Sequence, residues 1–197
     1  MQKIFSYLMI GSLLMLVGCT SEVAKLPHMD PNMRIAQDRA VLVVKVGNFD
    51  YLDITKVDSA DPKSRSVKYR ILKPSKMFLD TYAKQIYDIE AGTYYISFVA
   101  IDSANGTYYS EAPGLDTHGS IAYGAFNIKP GEVLYLGDFD CRWQSSNKIK
   151  KLSLINNMTE VKRDLESAGH SELAAKVVMA KFYARGTNIN NIQQQQD

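Results

Sequence analysis

Histidine, aspartate, serine and cysteine are the side chains through which this chain could do acid–base or nucleophilic chemistry. The three histidines are His28, His118 and His170, and none has a His or Cys partner at i+4, the spacing that commonly builds a zinc site. Asp116-Thr117-His118, with Asp138 and Asp140 further along, could converge as oxygen ligands around a cation. Loop aspartates are more often solvated turn formers, so no metal is expected. On paper, Ser110, His118 and Asp138 supply a Ser-His-Asp set, and Cys141 with His118 a Cys-His pair. No nucleophile elbow accompanies either of them. The glycines form neither a GxGxxG nor a P-loop pattern, and Asn105-Gly106-Thr107 reads as a hairpin turn. No cofactor and no catalytic residue are therefore expected.

Tyrosine is the better lead. Tyr94, Tyr95, Tyr108, Tyr109, Tyr123 and Tyr135 fall in strand-like segments, and each supplies a rigid ring with a polar tip. Within the adjacent pairs Tyr94-Tyr95 and Tyr108-Tyr109, strand alternation must send one ring inward and the other outward. The outward set is a candidate binding face, against the simpler reading of cross-strand pairing on a solvated sheet.

A different chemistry is written at the N-terminus. Lys3 precedes residues 4–17, apolar but for Ser6, Tyr7, Gly11 and Ser12, and Leu16-Val17-Gly18 lead directly into Cys19. A charged start, an apolar middle and a small-residue cleavage site are the order of a secretory signal peptide. The run is too short for a transmembrane helix, which needs about 20 apolar residues. Leu16-Val17-Gly18-Cys19 resembles the lipobox of bacterial lipoproteins. That resemblance implies that the Cys19 thiol receives a diacylglyceryl group, that residues 1–18 are removed, and that the new amino terminus is acylated. It also implies an outer-membrane destination, because Thr20 stands where an inner-membrane retention signal carries Asp.

Removing residues 1–18 of 197 leaves 179, enough for one domain with a substantial core. The formal charge of +2 falls to +1 with the loss of Lys3, which gives no electrostatic footprint for nucleic acid and no polybasic block for a membrane surface. Attachment then comes from lipid, at about 0.8 kcal/mol per buried methylene. Lipidation of Cys19 leaves Cys141 as the one cysteine of the mature chain, so no internal disulfide can form. A thiol in that position is buried, reactive, or available for an intermolecular bridge, and burial is the simplest reading beside so apolar a strand.

Residues 19–38 carry Pro27 and Pro31 and no sustained period, and read as the lipidated cysteine and a flexible tether that lets the domain stand off the bilayer. From Arg39 the pattern is β. Ala40–Val46 is rich in β-branched residues and ends at Gly47-Asn48, while Val67–Leu72 alternates apolar with basic. Phe78–Ile89 reads as a loop leading into a strand. Two segments echo one another: Ile89-Glu90-Ala91-Gly92-Thr93-Tyr94 and Ile128-Lys129-Pro130-Gly131-Glu132-Val133 each place a turn before a strand rich in tyrosine and β-branched residues. With Ile121–Ile128 and Ile149–Ile155, about seven strands are expected over 39–156. The period then changes. Thr159–Ala168 reads as a helix closed by Gly169, and Ser171 as the N-cap of a second helix, Glu172–Arg185, stopped by Gly186. These make a helical hairpin over 157–186 packed on the sheets, followed by a disordered tail over 187–197.

The turn-strand pattern, followed by Pro130-Gly131-Glu132-Val133-Leu134-Tyr135-Leu136-Gly137, resembles prealbumin-like β-sandwich domains found in bacterial lipoproteins. It implies a mainly β, prealbumin-like or immunoglobulin-like sandwich with two short C-terminal helices, and carries over no catalytic residue. The expected function is a non-enzymatic binding or assembly module of the cell envelope. It would be anchored through lipid on Cys19, would engage a protein partner, and could be a subunit of a secretion apparatus. The alternative is an envelope hydrolase or carbohydrate-binding protein using His118 with Asp138 and Asp140.

Overall fold

A computed structural model describes residues 23–25, 35–47, 49–57, 65–72, 85–103, 106–109, 119–145, 148–188 and 191–192. The signal segment, Cys19, His28, Asn105, Ser110, Asp116, His118 and residues 193–197 lie outside the described residues. Among those described, the chain is mainly β, with two sheets and two short helices.

The strands in chain order are β1 (Val23–Lys25), β2 (Arg39–Val46), β3 (Tyr51–Val57), β4 (Arg65–Leu72), β5 (Ile86–Glu90), β6 (Gly92–Ser103), β7 (Gly106–Tyr109), β8 (Ala125–Ile128), β9 (Val133–Ser145), β10 (Lys148–Ile155) and β11 (Val178–Met179). The helices are α1 (Met158–Ser167) and α2 (Ser171–Lys176), both lying between β10 and β11. The first sheet runs β1-β4-β3-β6-β7, with β8 also on β6; the second runs β10-β9-β2-β5, with β11 also on β9. Among the described residues, nine strands (β2–β10) lie within 39–156, where about seven are expected, and β1 and β11 lie outside that range. The two additional ones are the four-residue β7 and β3, which lies in a stretch, 48–65, whose polar residues read as a loop but whose Tyr51, Leu52, Ile54 and Val57 are buried between β4 and β6.

Both sheets bury side chains in one shared core. Leu52, Ile54, Tyr69, Ile71, Tyr94, Ile96 and Phe126 come from the first sheet, and Leu42, Val44, Tyr87, Leu134, Leu136 and Phe139 from the second. The near-continuous apolar run of β2 has a direct cause. Ala40, Leu42, Val44 and Val46 enter the shared core, whereas Val41 and Val43 face the opposite way into a second cluster. That second cluster is closed by Val161 and Leu165 of α1, by Leu173 and Ala174 of α2, and by Val177. A strand buried on both faces loses its polar alternation.

Strand β9 meets the same demand through a bulge. In its parallel pairing with β2, Val43 faces Tyr135 and Val44 faces Gly137, so Leu136 is the extra residue. Gly137 sits at φ +112°. Val133 and Tyr135 therefore face the helices, while Leu134, Leu136, Phe139 and Cys141 enter the shared core. Strand β10 pairs with β9 only from Asp138 onward, and β11 takes over at Leu134 and Tyr135.

The second helix is much shorter than expected. α2 ends at Lys176, and Val177 is already extended at φ −62° and ψ 128°. The apolar spacing of Leu173, Val177, Val178 and Phe182 suits a helix, but Val178 and Met179 instead satisfy the edge of β9 that β10 leaves open. Beyond them Ala180 N–H donates to Tyr135 O at 2.8 Å, and Tyr183 N–H to Ala125 O of the first sheet at 2.9 Å. The segment thus crosses from one sheet to the other, and Phe182 sets its ring edge-on to Phe126 and Phe139, with centroids at 5.8 and 6.3 Å. Asn188 bridges to Ser120, and Ile192, within the stretch read as a tail, is buried with Val57, Tyr95, Ile121 and Ala125.

α1 ends close to where the sequence places its stop. Gly169 at φ +86° donates to Glu166 O, and His170 N–H donates to Leu165 O, the paired bonds of a Schellman motif. At the other end of the chain, Val23–Lys25 lies inside the segment read as a tether and pairs in parallel with Lys68–Arg70.

A Cβ built on Gly137 would stand 2.3 Å from Leu154 Cδ1, at a φ that L side chains rarely adopt. Gly137→Ala is expected to destabilise the domain by about 1–3 kcal/mol or more, measured as a lower urea midpoint at unchanged m-value.

Candidate functional site

The tyrosines whose side chains are described, Tyr94, Tyr95, Tyr123 and Tyr135, do not form an open face. Tyr94 and Tyr95 point to opposite sides of β6, but both sides are covered: Tyr94 lies in the shared core and Tyr95 in the cluster with Ile121, Ala125 and Ile192. Tyr94 stacks on Phe126 with centroids 5.7 Å apart, and its hydroxyl donates to Glu90 O at 2.8 Å. Burial raises its pKa, and pushes that of Tyr87 up to about 12. Tyr123 is half-buried against the shared core. Tyr108 and Tyr109 pair through their backbones with Ile101 and Ala100. Tyr135 is fully buried beneath the helices.

Two residues singled out separately from the sequence, Tyr135 and Asp138, do come together. The bulge at Leu136 and Gly137 places them on the same face of β9, and Tyr135 OH donates to Asp138 Oδ1 at 2.6 Å. Asn157 Nδ2 donates to Asp138 Oδ2, and Asn157 N–H to the Tyr135 hydroxyl at 3.3 Å. Asn157 is the N-cap of α1, yet its side chain does not cap the helix. It ties the helix start to the sheet. With both carboxylate oxygens engaged and only 7% exposure, Asp138 is a joint in the framework. His118, its imagined catalytic partner, lies outside the described residues, and Asp140 is half-buried on the same strand.

Cys141 is 1% exposed within the shared core. Burial, with Asp140 adding to it, pushes its thiol up to about 12, so it is a poor nucleophile at neutral pH.

Periodicity did not reveal two charged clusters. Asp53, on β3, has a side chain with 0% exposure. Cross-strand pairing sets it opposite Arg70, whose Nε and Nη2 reach its two oxygens at 2.8 and 3.0 Å, and Lys68 Nζ lies 3.1 Å from Oδ2. Arg70 also lies over the Tyr51 ring at 3.9 Å, and Tyr51 stacks on Phe98 at 5.9 Å. The sequence signal was the basic alternation of Lys68 and Arg70, which lacked only the identity of the opposing strand.

The second cluster lies where the two echoing turns meet. Gly92 and Ile128 are register partners, and both turns dock on the start of β2: Ala91 N–H donates to Asp38 O and Gly131 N–H to Arg39 O. Arg39 forks onto Asp88 at 3.0 and 2.9 Å, and the charged form held by that bond has a raised pKa. Lys56 Nζ reaches Glu90 at 2.7 Å. A shallow cleft of about 620 Å³ opens between the turns, lined among others by Asn127, Lys129, Pro130 and Tyr183. It offers one cation and a few neutral donors, suited to weak polar contact. Among the described residues, no three His, Cys, Asp or Glu side chains gather as a metal site.

Comparison with known proteins finds no matching family model, curated protein or solved structure. The site must therefore be read from its own geometry.

Tyr135→Phe removes the hydroxyl that joins Asp138 to the start of α1. It is expected to cost about 1–3 kcal/mol and to speed hydrogen exchange in α1 before the core of the first sheet. Cys141 should react with an aromatic disulfide reagent at pH 8 at least about 100-fold more slowly in the native than in the urea-unfolded chain. An unfolded thiol ionises near about 8.5, whereas the folded one stays protonated to about 12. This group therefore leaves stability unchanged below the lower value and subtracts from it as pH rises through that window.

Proposed function

We propose that this chain is a lipid-anchored protein of the bacterial cell envelope, carried on the outer membrane by diacylglyceryl-Cys19. Its β domain, a sandwich of the prealbumin-like type, is a non-enzymatic binding or assembly module for a protein partner. The anchor rests on Lys3, the apolar run and Leu16-Val17-Gly18-Cys19. Two sheets sharing one core support the sandwich. The engagement of the buried and half-buried acids supports a framework role rather than catalysis. Asp53 is held by Arg70 and Lys68, Asp88 by Arg39, and Asp138 by Tyr135 and Asn157.

The observation that carries the partner is the edge at β10. Among the described strands it is one of the two outermost of its sheet, β5 being the other, and Leu154 and Ile155 are 40% and 47% exposed. Val178, on the neighbouring β11, is 45% exposed. An outermost strand offers backbone donors and acceptors to an added strand, and these apolar side chains give such a strand something to bury. The partner is accordingly an extended segment of an envelope protein that adds beside β10.

Cys19→Ser should abolish lipid labelling and release the protein from membrane fractions; unchanged fractionation with no loss of label would refute the anchor. Ile155→Lys combined with Val178→Lys, both at exposed positions, should cut recovery of the partner from detergent extracts at least about tenfold while leaving Tm within a few degrees. Enrichment of no envelope protein over an unrelated lipoprotein would count against the module reading.

A further inference from the structure

We propose that the end of the domain bearing the two echoing turns rests on the headgroup layer of the membrane, held there by strand β1. The proposal builds on the lipid anchor at Cys19 and adds which face of the domain meets the bilayer. A free tether over 19–38 would let the domain stand off in any orientation. β1 removes that freedom, because Val23, Ala24 and Lys25 pair with Lys68, Tyr69 and Arg70 on the sheet.

The distances are short. Cys19 and Val23 are four residues apart, a reach of at most about 14 Å. Val23 lies in one register row with Lys68, Thr55, Tyr95 and Ala125. Because β1 runs parallel to β4, the chain arrives at Val23 from the side of Arg65, Gly92 and Ile128. Gly92 lies three residues beyond the row on that side, or about 10 Å. The turn of Lys129, Pro130 and Gly131, all exposed, follows Ile128 at the same end. The sheet thus takes up most of the reach available to residues 20–22, and the turn end meets the interface to which the acyl chains hold Cys19. Leu72, 42% exposed, marks the far end of the same sheet, aligned through Tyr51 with Ala100. That end is roughly 25 Å from Gly92. The occupant is the phospholipid headgroup layer, and Lys129 is the cation offered to it.

The test uses the full acylated chain in phosphatidylethanolamine–phosphatidylglycerol vesicles containing a headgroup-nitroxide lipid. A fluorophore is attached at Pro130→Cys or at Leu72→Cys, Cys141 being protected by burial. Strong quenching at Pro130→Cys with several-fold less at Leu72→Cys is the expected result, and a ten-residue Gly/Ser insertion between Cys19 and Val23 should relieve it. Quenching at neither site, or equally at both, in a chain whose N-terminal peptide carries the acyl mass would overturn the orientation alone. An N-terminal peptide without that mass would overturn the anchor and the orientation with it.

Discussion

The architecture depends on the break in alternation at Leu136 and Gly137. Among the described strands, β9 alone serves the shared core, the helical layer and two different edge partners, and an unbroken pleat could not do all of this. With a period of two throughout, Phe139 and Cys141 would face the helices and Asp138 would enter the apolar core. One extra residue in register against β2 reverses the assignment. It sends Asp138 outward to Tyr135 and Asn157, fixing where α1 begins. The glycine that permits the bulge also leaves room for Leu154, so the backbone turn and the packing of β10 depend on the same missing methyl group.

A second dependence follows from the first. Since β10 meets β9 only past the bulge, the remaining stretch of edge is free for Val178 and Met179, and from there the chain crosses to the first sheet. Phe182 lies in that crossing and extends a chain of ring contacts running from Tyr69 through Tyr94 and Phe126 to Phe139. Aromatic pairs at such separations add about 0.5–1.5 kcal/mol each beyond their burial. The crossing segment therefore contributes to the core although it is not part of either continuous sheet.

Much of this was legible from residue types alone. The doubly apolar run of β2, the alternation of Val67–Leu72, the turns at Ala91-Gly92 and Pro130-Gly131 and the stop at Gly169 each have a local physical cause, and each lies in the chain where that cause places it. What could not be read was set by distant partners. Val177, Val178 and Phe182 keep helical spacing, but the open edge of β9 offers hydrogen bonds that an isolated helix does not have to compete with. Tyr94 and Tyr95 were correctly split between two faces, yet alternation does not say that Ile192 covers the second face. Asp53 shows no pattern until β4 lies beside it.

The crossing segment also has a consequence for the order in which the molecule can be made. β2 must wait some ninety residues for its parallel neighbour β9, and contacts this remote in sequence are slow to form. The residues that tie the two sheets together come later still, with Phe182, Tyr183 and Ile192 among the last of the 197. A chain synthesised N-terminus first therefore cannot complete these contacts until Phe182, Tyr183 and Ile192 have been made. Until then the two sheets lack the segment that bridges them.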